Sequence, residues 1–103
     1  MAQVMVEITR GEGQTQASFQ PAEVISLDNL FWVNNDVVSG HQPTPSLSNP
    51  TAWMPEPIPV KLPDQPAPTS RGMAFDPGPY QITYFCALHE GESGTITVNP
   101  DPS

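Results

Sequence analysis

A single cysteine, Cys86, rules out any disulfide within the chain, so redox compartment cannot be read from bridges. Basic side chains are scarce too: 3 lysines and arginines stand against 11 acidic residues, for a formal charge of −8. That surface repels phosphate backbones and anionic lipid, which argues against nucleic acid and favours a cationic partner. No apolar run approaches the ~20 residues of a membrane-spanning helix, so membrane insertion is not expected. Histidine occurs twice, at 41 and 89. The N-terminal half has no helical periodicity. With 103 residues the chain has room for one domain, 1–103, around one modest core.

What is present reads as strands. Val4, Val6 and Ile8 alternate with Met5, Glu7 and Thr9, the period of a half-buried strand, until Gly11-Glu12-Gly13-Gln14 breaks it. Glu23-Val24-Ile25-Ser26-Leu27 has the β-branched content of another strand, and Asp28-Asn29 is a turn. Leu30 to Val33 is a continuous apolar run, short enough for a core strand. Gly72-Met73-Ala74-Phe75 reads as a return to order that includes a strand at Met73, and Pro77-Gly78-Pro79 makes a turn. In the strand that follows, Tyr80, Ile82, Tyr84 and Cys86 share one face, while Gln81, Thr83 and Phe85 take the other. Gly94 to Asn99 closes the set. The expectation is an all-β chain.

Residues 43–71 differ. Nine prolines, at 43, 45, 50, 55, 57, 59, 63, 66 and 68, remove the amide donors of a central strand and would break a helix. An extended loop with polyproline-like stretches is the plain reading. Leu47, Trp53, Met54, Ile58, Val60 and Leu62 are more apolar side chains than a solvated tether keeps. The arm is therefore expected to pack on the rest of the chain or on a second copy of it.

Cys86 ends one strand, and His89 sits three residues on, inside the turn that the next strand closes. One thiol and one imidazole are thus offered from a single short loop. A lone cysteine is ordinarily a small buried hydrophobe. Here His89, with His41 beyond the run Asn29 to Asp36, makes metal ligation the stronger reading, since a His₂Cys set with a weak or variable fourth ligand suits mononuclear copper. Zinc would be chemically allowed by the same ligands.

The order of these pieces carries a resemblance. Trp32-Val33-Asn34-Asn35-Asp36 followed by His41, then Phe75 to Tyr80, then Tyr84-Phe85-Cys86 with His89 and a last strand at Gly94 to Asn99, is similar to the cupredoxins of the plastocyanin and amicyanin type. The likeness runs over nearly the whole chain except residues 43–71, and Phe19-Gln20-Pro21-Ala22 resembles a short segment of that family as well. It implies a Greek-key β-sandwich of about seven to eight strands and a mononuclear copper site ligated by His41, Cys86 and His89. It also implies an exported protein, periplasmic or of the thylakoid lumen, whose leader has been removed or replaced by Met1. No signal peptide is visible, because Met1-Ala2-Gln3-Val4 leads straight into a strand pattern.

Two positions depart from that family. Glu92 stands where the relatives carry an axial methionine, in a loop of the short amicyanin length. With a thiolate, a carboxylate and two neutral imidazoles, Cu(II) gives zero net charge and Cu(I) gives −1, which a low-dielectric pocket disfavours. A lowered reduction potential and a red, brown or green colour are expected, similar in chemistry to the red copper protein nitrosocyanin. Met54, Met73 and Glu56 are other candidates for the fourth ligand, and Glu90 lies one residue off the family position. The second departure is Gln42 where the family usually has an asparagine tying the ligand loops together; Asn34 or Asn35 could substitute.

The function implied is electron transfer, with His89 as the electron port and a basic redox protein as partner. The alternative is a copper enzyme or a nitric oxide or oxygen sensor with an open metal position. Copper storage lacks the expected methionine- and histidine-rich tracts.

Overall fold

The computed structural model describes residues 2–46 and 53–102; Leu47 and Pro50 of the proline-rich arm lie outside them. Among the described residues, seven strands run in chain order: β1 (Gln3–Thr9), β2 (Ser18–Phe19), β3 (Ala22–Val24), β4 (Asn29–Asn34), β5 (Pro43–Pro45), β6 (Tyr80–Cys86) and β7 (Ser93–Val98). They form two sheets, ordered β2-β1-β4 and β3-β7-β6-β5, and there is no helix among the described residues. β1 pairs with β4 in parallel and β3 with β7 in parallel, while β6 pairs with β5 and β7 antiparallel.

Burial follows the two-residue period. Val6 and Ile8 of β1, Leu30 and Trp32 of β4, Ile82, Tyr84 and Cys86 of β6, and Ile96 and Val98 of β7 are buried in one shared core. Each such aliphatic side chain contributes roughly 1.5–3 kcal/mol by leaving water. Tyr84 lies at the centre of this core, and its hydroxyl accepts a 3.0 Å hydrogen bond from Trp32 Nε1. Burial pushes that phenol up to about 12, against the smaller opposing effect of the Trp32 bond. Gly94 lies directly against the Tyr84 ring, where a Cβ would not fit.

One expected strand is shorter than its composition suggests. β3 ends at Val24 because side chains claim the next amides: Asp28 accepts from Ile25 N at 3.1 Å, and Asp101 accepts from Ser26 N at 3.1 Å and Ser26 Oγ at 2.6 Å. Such local capping competes with ladder pairing. Met73 makes an isolated bridge to Leu30 rather than a strand.

The proline-rich segment begins as β5, at the sheet edge beside β6, where missing amide donors are tolerated. Its end returns along β4 through a bridge at Val33–Thr69, continued just beyond the segment by Leu30–Met73, and a further bridge joins His41 to Ile58. The described part of the arm therefore lies on the sandwich. Trp53 packs against Trp32 with ring centroids 5.5 Å apart, and Ile58 is 1% exposed.

Candidate metal centre

The hairpin turn between β6 and β7 is closed by Cys86 N donating to Glu92 O at 3.0 Å. Gly91 has φ +89°, a conformation glycine adopts without Cβ strain, and it lets the chain reverse inside this short turn. The β5 end of the sheet grips the same turn: Ala87 N donates to Gln42 O at 3.0 Å, and Gln42 N points at Cys86 Sγ at 3.5 Å. The tie between the two loops is thus made by the Gln42 backbone. Asn34 instead uses its amide to hold Ser39 O and Pro59 O, and Asn35 bonds Glu7.

His41 is fixed from two sides. Its backbone exchanges both hydrogen bonds with Ile58, at 3.0 and 2.7 Å, and its Nε2 donates to Asp36 Oδ2 at 2.7 Å. A neutral imidazole carries one proton; the Asp36 bond assigns it to Nε2 and leaves the Nδ1 lone pair facing inward. Phe19 closes edge-on against the ring at 5.5 Å.

His41, Cys86, His89 and Glu92 each offer one donor atom, and the four atoms lie within 4.8 Å of one another. Cys86 Sγ is 3.6 Å from His41 Nδ1 and 3.4 Å from His89 Nδ1. Glu92 Oε1 is 3.0 Å from His41 Nδ1 and 3.3 Å from His89 Nδ1. Three of the residues are buried, and the His89 side chain is 31% exposed. All four residues singled out from sequence come together. Glu56 instead pairs with Arg71, Met54 is exposed, and Met73 packs beside Trp32 and Trp53 around a surface cavity of about 370 Å³. Glu90 is exposed.

The decisive atom is Glu92 Oε1. Its partner Oε2 accepts from Ala17 N at 2.7 Å, but Oε1 is buried and accepts no hydrogen bond among the described residues. A buried carboxylate oxygen without a donor costs about 1–3 kcal/mol or more. It faces an imidazole lone pair, a second imidazole nitrogen and a sulfur, a convergence of electron-rich atoms that a cation satisfies. One thiolate, two imidazoles and a carboxylate fit a transition-metal ion of the copper or zinc kind.

Asp36 and Arg10 complete the surroundings, and the sequence reading gave neither a role. Arg10 Nε donates to both Asp36 oxygens, at 3.1 and 3.2 Å, and Nη2 donates to Asp36 Oδ2 at 2.9 Å. Burial alone would push the Asp36 carboxyl up; hydrogen bonds from Arg10, Val38 N and His41, with the Arg10 charge, outweigh it and hold the group well below the usual carboxylate range. The Asp36 bond in turn raises Arg10, against the opposing effect of burial. The one available signal is a carboxylate five residues before a candidate ligand histidine.

No protein-family model matches the chain, and no curated protein matches it in sequence. Solved structures do match in shape. A rusticyanin variant with a histidine replaced by methionine aligns at TM-score 0.61 and 17% identity, over 93% of this chain and 77% of that one. Amicyanin from Paracoccus versutus aligns at 0.59 and 17%, over 92% and 79%. A methionine-to-alanine amicyanin variant in the Cu(I) state aligns at 0.59 and 14%, over 92% and 80%. This chain has the cupredoxin fold.

Proposed function

We propose that this protein is a mononuclear copper electron carrier in which His41, Cys86, His89 and Glu92 hold the ion. The observation that carries the reading is the orphan Glu92 Oε1 converging with a thiol and two imidazoles at one end of a cupredoxin-fold sandwich. The Cu(I) state of one amicyanin neighbour supports copper over zinc. Bound there, copper would supply a one-electron couple.

The chain's own part is to hold the donors still. Asp36 and the Ile58 backbone fix His41, the Gln42 backbone flanks Cys86, and Ala17 N anchors Glu92. Donors held this way need little rearrangement between valences. His89, the donor residue nearest solvent, is the point of electron entry and exit. The carboxylate favours the more highly charged valence and lowers the potential. A basic redox partner fits the acidic balance of the chain, and residence in the periplasm or thylakoid lumen belongs to the same reading through the likeness of fold.

Adding Cu(II) to the metal-free protein tests this. An intense thiolate-to-copper absorption band is expected, together with reversible one-electron voltammetry. Glu92→Gln is expected to raise the potential and to change colour and EPR hyperfine splitting. No charge-transfer band would refute copper–thiolate ligation, and an unchanged hyperfine pattern in Glu92→Gln would remove the carboxylate from the coordination sphere. A spectrum that shifts on adding azide or nitric oxide would favour the alternative, an enzyme or small-molecule sensor with an open position.

A further inference from the structure

Arg10 is one of only 3 basic residues in the chain, yet its side chain is just 10% exposed. It follows β1 directly and reaches across the sheet end to the β4–β5 loop. Besides its fork on Asp36, its Nη2 lies 3.1 Å from Ser39 Oγ and 3.8 Å from Glu92 Oε2. A single guanidinium thus hydrogen-bonds Asp36, on the Nε2 side of His41, and sets its charge 3.8 Å from Glu92, on the Nδ1 side. Ala17 N and Arg10 both lie on the Oε2 side of Glu92, so Oε1 is the oxygen turned toward His41, Cys86 and His89.

The charges point the same way. With a thiolate and two neutral imidazoles, Asp36, Glu92 and Cys86 bring three negative charges into a buried cluster, and Arg10 cancels one. A divalent ion then leaves the cluster neutral and a monovalent ion leaves it at −1. Without Arg10, even a divalent ion would leave a buried negative charge, which low dielectric makes costly.

We infer that Arg10 is a positioning and specificity-determining residue: it orients Glu92 so that Oε1 alone faces the metal, and it matches the cluster's charge to a divalent ion. This rests on the metal-site reading above. If Arg10 were only a clamp between β1 and the β4–β5 loop, its loss would lower stability without altering the spectrum of a bound ion.

The test uses the full chain, with Co(II) as a spectroscopic probe and Zn(II) competition for affinity. Arg10→Gln is expected to weaken both ions by about 10- to 100-fold, the usual cost of losing an outer partner, and to displace the Co(II) d–d bands as Glu92 turns. Arg10→Lys keeps the charge without the fork, so affinity should largely return while the bands stay displaced. A folded Arg10→Gln protein with unaltered bands and affinity would overturn the inference. Should that variant fail to fold, Arg10→Lys decides: displaced bands support the inference and bands identical to those of the unmodified protein overturn it. If the unmodified protein binds neither Co(II), Zn(II) nor Cu(II), the metal-site reading fails and this inference falls with it. That outcome differs from an Arg10 variant that merely behaves like its parent.

Discussion

Asp36 shows how one side chain can matter to stability and chemistry together. Its carboxylate is fully buried, and Arg10, Val38 N, Ser39 and His41 converge on it. Because its folded-state pKa is depressed, the folded state binds a proton there more weakly than the unfolded chain, where a carboxyl titrates at ~3.9. The stabilisation is therefore fully present above that value and is lost as pH falls below it toward the folded pKa. The Asp36 contribution to the urea midpoint of the metal-free protein, read as the difference between the parent and Asp36→Asn, should hold steady from pH 7 to 5 and shrink below pH 4, which steepens the parent's acid limb. Asp36→Asn should flatten this acid limb and cost on the order of 3–5 kcal/mol at pH 7, since it removes the buried countercharge that Arg10 and His41 both face. The same variant should disturb the His41 tautomer, visible in the nitrogen shifts of the imidazole. An acid limb as steep in Asp36→Asn as in its parent would assign the effect to other carboxylates.

Among the elements, the proline-rich arm governs the histidine that begins the site. Ile58 pairs backbone to backbone with His41 and buries its side chain in the main core. Ile58→Ala should cost about 2–5 kcal/mol by cavity formation, and it should speed hydrogen exchange at the His41 amide more than at β1 amides. Equal acceleration at both places would show that the arm and the sandwich open as one unit. This pairing was illegible in the sequence for a definable reason. Strands announce themselves locally: Val6 and Ile8, or Ile82, Tyr84 and Cys86, repeat at the two-residue spacing that burial then follows. The loop donors were legible because Cys86, His89 and Glu92 fall within one turn and His41 was the other histidine. Arg10 meets Asp36 across 26 positions, and a basic residue after a strand normally marks solvent. β3 ends earlier than Val24-Ile25 suggests because Asp28 and Asp101 take the amides that would have extended it. Local pattern carries periodicity; it does not carry long-range polar capture.

As a whole the chain is acidic, and His89 is the half-buried member of the candidate metal centre. Of its 3 basic residues, Arg10 lies inside the site with the buried Asp36 and Glu92, which leaves Lys61 and Arg71 against the nine other acidic groups. A cationic partner should be attracted from beyond contact range, and the attraction should decay with the Debye length, from ~30 Å at 0.01 M to ~8 Å at 0.15 M salt. Steering of this kind raises association rates by about 10- to 1,000-fold. Stopped-flow mixing of the reduced, copper-loaded protein with a basic one-electron acceptor protein should give a second-order rate constant that falls at least tenfold over that range. An acidic acceptor should show the opposite slope, because screening relieves repulsion. A rate independent of salt with both would mean that the acidic surface takes no part in the encounter, and that any partner is recognised through contacts around His89 alone.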